Sequence, residues 1–307
     1  LKEFAGVKLQ WIRFRIKNGG ILPEIKFRMG TVGTPKSTPK KPGGSIGTIQ
    51  HLSSQGLGAL ELGWVRSVRI SEATCEKIKA AALDHDISLS IHAPYFINLN
   101  ADHQEWPKSR KRLMDAAHFG YLAGATDIIF HPGSYFGRPP DEVLDIAIPR
   151  LQDCAQELQA GGNPVTLRPE TMGKGALLGS FEDTLILSKE IEGVEPCLDF
   201  AHLHARTGDG TMNSYDEWID LLEAYRKELG KNAISRIHAH LSGIEYGPKG
   251  ERNHLMLDDS DFNLTDLLQA LVEFNCGGRI LCESPEHMDK DALLIKQKME
   301  EIKQDLA

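Results

Sequence analysis

The sequence predicts an α/β protein folded as one single-domain (β/α)8 TIM barrel, and two observations predict it. Strand-like apolar runs alternate eight times with amphipathic helical segments, the order expected when each helix crosses back over a parallel sheet. From the third strand to the eighth, every run also stops at or beside a His, Glu or Asp. Barrels carry their chemistry at the carboxyl ends of the strands and in the loops that follow. A doubly wound open sheet is the competing architecture, and it leaves those six strand ends unexplained.

The first strand is predicted at residues 27–32, followed by a Pro/Lys/Gly-rich loop over 35–44 and a helix over 45–55. Residues 59–62 form the second strand, with its helix over 72–84. The third strand, 87–91, is followed by a long loop and a helix over 108–123. Residues 127–130 precede a helix over 141–159, and residues 165–168 precede one over 181–189. The sixth strand is 196–199. Its helix is announced by the capping box Ser214-Tyr215-Asp216-Glu217, in which hydroxyl and carboxylate satisfy free N–H groups at the helix start. Strands at 234–241 and 279–282 complete the set, with helices over 265–274 and 290–303. Residues 1–26 are expected to form an extension outside the fold, although the alternation from Trp11 to Lys17 before Asn18-Gly19-Gly20 equally fits a hairpin arm. Residues 27–307 are expected to be the catalytic domain.

Composition narrows the classes. The 307 residues are 41% hydrophobic and 25% charged, enough for a large buried core. No apolar run reaches the roughly 18 residues needed to span a bilayer, and no signal segment opens the chain, so a cytosolic protein without membrane contact is expected. The five cysteines form no C-x-x-C pair. That favours reduced, buried thiols over a disulfide frame or a thiolate zinc site. The net charge of -8 is uneven: up to Lys41, ten Lys/Arg stand against two acids, so the remaining body is acidic. A generic basic nucleic-acid face is absent.

Twelve histidines supply the more promising ligands. The sixth strand ends in Asp199, with His202 three residues on and a Gly-rich loop beyond, a placement suited to neighbouring metal ions. His92 ends the third strand, His131 follows the fourth, Glu170 the fifth, His238 and His240 lie on the seventh, and Glu283 follows the eighth. Each alone is better explained as a loop cap. Together, imidazoles mixed with carboxylates point to zinc or manganese rather than calcium.

The runs His92-Ala93-Pro94-Tyr95-Phe96-Ile97-Asn98-Leu99, Phe130-His131-Pro132-Gly133-Ser134, Glu170-Thr171-Met172-Gly173-Lys174-Gly175, Leu198-Asp199-Phe200-Ala201-His202 and Leu281-Cys282-Glu283 resemble the endonuclease IV family of abasic-site DNA nucleases, within the xylose-isomerase-like barrels. The resemblance runs from about Phe27 to the C-terminus. It implies a phosphodiesterase with three clustered zinc ions, in which Glu170 and Glu283 belong to the catalytic centre. His92 and His131 would hold the first ion and Glu170 would bridge it to a second, completed by Asp199, His240 and Glu283. His202 would bind the third, together with an Asp-x-His pair after the seventh strand. Here that loop reads Gly250-Glu251-Arg252-Asn253-His254, so His254 matches, Arg252 occupies the place of the Asp, and Glu251 is the available substitute.

The resemblance further implies double-stranded DNA with an abasic site as partner and a monomeric enzyme. Tyr95 and the loop 33–44 would enter the minor groove, with Lys36, Lys40 and Lys41 near phosphates. Tyr95 serves equally well as a cover for the barrel mouth. His238 is expected to be a buried barrel histidine, and His118 and His204 are expected at the surface. Two other functions remain open: a sugar isomerase or epimerase with one or two divalent ions, Mn2+ among them, and a non-catalytic lesion-binding protein with a defective third site.

Overall fold

The structure, a computed structural model, describes residues 27–306. The proposed extension and its Trp11–Lys17 arm lie outside the described residues. Eight parallel strands form the frame: β1 Phe27–Val32, β2 Ala59–Gly63, β3 Ser88–His92, β4 Ala125–Phe130, β5 Thr166–Pro169, β6 Cys197–Asp199, β7 Ile237–Leu241 and, last in the chain, Gly278–Cys282. They pair in the order β5, β4, β3, β2, β1, Gly278–Cys282, β7, β6. The seam between β5 and β6 is closed by parallel bridges from Leu167 to Val194 and from Glu170 to Cys197, so the sheet is a barrel and not an open sheet.

The outer helices are α1 Gly44–Ser54, α2 Glu72–Asp84, α3 Trp106–Leu122, α4 Pro140–Ala160, α5 Phe181–Glu190, α7 Tyr215–Leu229, α8 Leu264–Glu273 and α9 Met288–Leu306. A short α6, Phe200–Arg206, comes directly after β6. Helix starts follow from local chemistry. Ser214 and Glu217 form the expected capping box, and Ser180 with Asp183 forms a second. The apolar faces of these helices and the outward faces of the strands make one core, with Trp218, Tyr225, Phe130 and Phe200 fully buried. At the amino end of the barrel Arg168 joins Asp127 at 2.5 Å and Glu195 at 3.1 Å, and Arg279 joins Asp127 at 2.9 Å. Arg168 and Asp127 are almost wholly withdrawn from water, so their charges need ionised partners.

Three departures from the expected pattern have local causes. Residues 233–235 form a 3-10 turn, so β7 begins at Ile237. Ile234 is buried as a strand residue would be, and apolarity alone does not separate the two states over so few residues. The second departure is α6, whose N-cap is Asp199 itself. The third is an antiparallel ribbon, β8 Gly243–Gly247 and β9 Gly250–Leu255, inserted after β7; the final barrel strand, Gly278–Cys282, is therefore β10. The ribbon covers α6 through Ile244 and Tyr246 against Ala201 and Ala205. That cover corrects the expectation for His204, which is fully buried. Its Nδ1–H donates to the Thr211 carbonyl at 2.9 Å and its Nε2 lies 3.2 Å from Asp261. His118, in contrast, is exposed on α3.

Candidate metal centre

The strand ends deliver their side chains to one place. His92 and His131 close β3 and β4, and their Nε2 atoms lie 3.4 and 3.3 Å from Glu170 Oε2. The other oxygen, Oε1, is 3.4 Å from His202 Nδ1 and 3.4 Å from His240 Nδ1. His240 Nδ1 is also 3.3 Å from Glu283 Oε1. Ligand atoms of the described residues fall into four groups, three of which adjoin at the strand ends: His92, His131 and Glu170; Glu170, Asp199, His240 and Glu283; and His202, Glu251 and His254; the fourth is Cys197, His238 and His240.

Asp199 has two tasks. Its Oδ1 accepts the His202 backbone N–H at 2.7 Å, capping α6, while Oδ2 has no hydrogen-bond partner and lies 3.3 Å from His202 Nδ1. Glu170 Oε2 is likewise buried without a hydrogen bond. Burial pushes the Asp199 carboxyl upward despite His202 nearby. Burial would do the same to Glu170, but His131 and His240 outweigh it and hold that carboxyl well below the usual range. The imidazoles respond in turn: against burial, Glu170 raises His92 to about 9, and Asp199 with Glu170 raises His202 to about 10.

Buried carboxylate oxygens without partners, facing imidazole nitrogens, are a donor set that divalent cations satisfy and that bare protein does not. Mixed nitrogen and oxygen ligands suit zinc. The residues fit the group.

The third group turns on a bulge. The ribbon register shifts between Glu245 and Tyr246, so that Glu245 pairs with Asn253 and Tyr246 with Glu251. Arg252 is the extra residue. Arg252 and Asn253 both reach Glu245 on the outer face, at 3.3 and 3.0 Å. Glu251 and His254 therefore share the inner face. Glu251 Oε2 lies 3.6 Å from His202 Nε2, and the His254 ring lies 5.2 Å from that of His202. Room for Glu251 comes from Gly173, where a Cβ would stand 2.7 Å from Glu251 Cβ.

Tyr95 leans over the first group, stacked on His131 at 5.0 Å and edge-on to His92 at 5.3 Å, with half its surface exposed. Lys36, Lys40 and Lys41 are exposed in the loop before α1. Lys36 pairs with Glu286 at 3.0 Å. His238 is buried one layer below His240, where burial lowers it to about 4. One residue of this region was missed by sequence reasoning: Glu61 of β2, fully buried, 3.0 Å from His238 and 3.1 Å from His240. The available signal was a lone carboxylate inside the apolar run Ala59-Leu60-Glu61-Leu62.

A family model described as a xylose isomerase-like TIM barrel matches residues 49–305. The chain belongs to that family. An uncharacterized protein of Methanocaldococcus jannaschii is 38% identical over 280 residues, covering 91% of this chain and 99% of that one. Endonuclease 4 of Thermus thermophilus is 27% identical over 225 residues, covering 71% of this chain and 76% of that one. Among solved structures, a D-tagatose 3-epimerase-like protein matches with a TM-score of 0.67 at 17% identity, over 90% of this chain and 98% of that one. The last likeness shows the barrel alone. Among the described residues, no helix is long and apolar enough to cross a membrane.

Proposed function

We propose that this member of the family is a zinc-dependent endonuclease that hydrolyses the DNA backbone 5′ to an abasic site. The observation that carries the proposal is Glu170, one buried carboxylate within 3.4 Å of imidazoles from four strand ends. It belongs to two of the ligand groups and touches the third through His202, so that the three adjoin as one centre. Relatives bearing the name endonuclease 4 add support.

Divalent ions held there would supply Lewis acidity toward a phosphoryl group and acidify a water molecule. His92, His131 and Glu170 would hold one ion, Asp199, His240 and Glu283 with Glu170 a second, and His202, Glu251 and His254 a third. Burial keeps Glu170 and Asp199 rigid and dry. His131, Glu251, His254 and Glu283 are partly open to solvent, and a substrate phosphate would approach from their side. Glu283 is the partly open carboxylate next to His240, placed to receive a proton from an attacking water. Tyr95 shields the His92 and His131 side and offers a ring at the mouth, while Lys40 and Lys41 supply positive charge along the rim.

The direct test uses a duplex with a single abasic analogue. Zinc-loaded protein nicks it on the 5′ side, and a chelator stops the nicking; an intact duplex after incubation with zinc-loaded protein sinks the proposal.

A second reading is a sugar isomerase or epimerase. It is favoured by one observation, that Glu170, Asp199, His240 and Glu283 form a complete four-ligand group by themselves. One or two ions per chain with a preference for manganese, together with turnover of a ketose, would select it. The position of Glu251 beside His202 speaks for three ions and against a merely lesion-binding protein with a defective third site.

A further inference from the structure

Beneath the metal centre the barrel interior is polar, where packed barrels carry branched apolar side chains. Glu61 points inward from β2 with no exposure to solvent. One hydroxyl and two imidazole nitrogens converge on its two oxygens. Oε2 accepts from Ser90 Oγ at 2.8 Å and lies 3.0 Å from His238 Nε2, while Oε1 lies 3.1 Å from His240 Nε2. His238 and His240 point the same way because side chains alternate along a strand, so one carboxylate spans both rings.

The far nitrogen of His240 faces upward. Its Nδ1 lies 3.4 Å from Glu170 Oε1 and 3.3 Å from Glu283 Oε1. A neutral imidazole has one N–H and one lone pair, and the partner of one nitrogen decides the state of the other. Glu61 Oε1 and His240 Nε2 stand 3.1 Å apart and neither forms a hydrogen bond; buried polar atoms do not stay unpartnered without cost, so a small turn of the ring that pairs the two is favoured.

We propose that Glu61 is a positioning residue: by accepting the Nε2–H of His240, it leaves the Nδ1 lone pair directed at the cation that Glu170, Asp199 and Glu283 would share. The inference rests on the metal-centre reading of the cluster and is independent of whether DNA is the substrate. It accounts for a buried carboxylate that no other part of the centre uses. It also assigns the tautomer of a ligand, since a proton on Nδ1 would turn the ring from acceptor to donor at the cation.

The test is zinc affinity by chelator competition on the full chain, comparing wild type with Glu61→Gln, which keeps the shape and removes the charge. The ion at Glu170, Asp199, His240 and Glu283 is expected to bind about 10- to 100-fold more weakly. The ion at His92 and His131 is expected to keep its affinity, and Glu61→Asp to restore part of the loss. A purely structural role would weaken every ion alike. Should Glu61→Gln fold poorly, side-chain 15N–1H NMR of zinc-loaded wild type decides, with the His240 proton expected on Nε2. Equal affinity in Glu61→Gln and wild type, or a proton on Nδ1, overturns the proposal. So does loss of a bound ion in Cys197→Ser, because Cys197, His238 and His240 lie close enough to hold a metal themselves. A wild-type chain that takes up no divalent ion refutes the metal-centre reading itself, a result distinct from all of these.

Discussion

Glu251 and Arg252 are neighbours in the chain and lie on opposite faces of the β8–β9 ribbon. Glu251 stands 3.6 Å from His202 inside the centre, and Arg252 stands 3.3 Å from Glu245 outside it. A regular ribbon would have sent Arg252 inward beside His254, since every second residue shares a face. The bulge between Glu245 and Tyr246 shifts the phase by one residue, which replaces a buried cation facing imidazoles with a carboxylate.

Replacing Glu251 by Ala is therefore expected to remove one zinc per chain and to lower strand cleavage by at least about tenfold, since even residues one step behind a metal ligand change affinity by 10- to 100-fold. Arg252→Ala is expected to retain full zinc content and to change stability by no more than about 0.5 kcal/mol. Metal analysis and nicking assays on the two variants, side by side, check the pair; a larger metal loss in Arg252→Ala would contradict the ribbon geometry.

Removal of metal is expected to leave a protein whose stability falls as the solution becomes more alkaline. His92 and His202 have folded-state pKa values raised to about 9 and about 10, above the unfolded value of about 6.5. Their contribution is complete below about pH 6.5 and is lost as pH rises through the folded values. Thermal midpoints of chelator-treated protein from pH 6.5 to 10 read this directly, and zinc binding at pH 7.5 is expected to release protons. A flat profile with no proton release would show that these imidazoles are already neutral.

The charge network at the barrel's amino end tests the fold apart from the centre. Arg168→Ala leaves Asp127 with Arg279 and Glu195 with Arg236 as their remaining cations but strips the buried Pro196 carbonyl of its Arg168 donor, and is expected to cost about 1–3 kcal/mol in denaturant unfolding. Zinc content of the folded fraction is expected to be unchanged, because the Arg168 guanidinium turns away from Glu170 toward the Pro196 and Arg236 carbonyls ahead of β6 and β7.

For DNA, the acidic body predicts weak association that declines steeply with salt. Each of Lys40→Ala and Lys41→Ala is expected to reduce the slope of log affinity against log salt by about one if the lysine neutralises a phosphate. Lys36→Ala is expected to change it less, since its ammonium already pairs with Glu286. Binding titrations at several salt concentrations distinguish the three.

The alternation of apolar runs and amphipathic helices was sufficient for the barrel, because both periods are local properties of the chain. The grouping of the candidate ligands at the strand ends followed from it, since parallel strands in one barrel end at the same face. His92, His131, Glu170, Asp199, His240 and Glu283 were legible on that ground. Other features depended on contacts between distant segments. Whether Glu251 or Arg252 faces His202 is settled by a one-residue register shift that no pattern in Gly250-Glu251-Arg252-Asn253-His254 encodes. His204 read as a surface residue until the ribbon was seen to cover α6. Glu61 read as one acid in an apolar strand until the barrel's closure brought it, across 177 and 179 positions of chain, to His238 and His240. The sequence alone determined which residue types reach the mouth of the barrel; the tertiary structure decided which atoms face one another there, because register, closure and burial are set by packing between segments far apart in the chain.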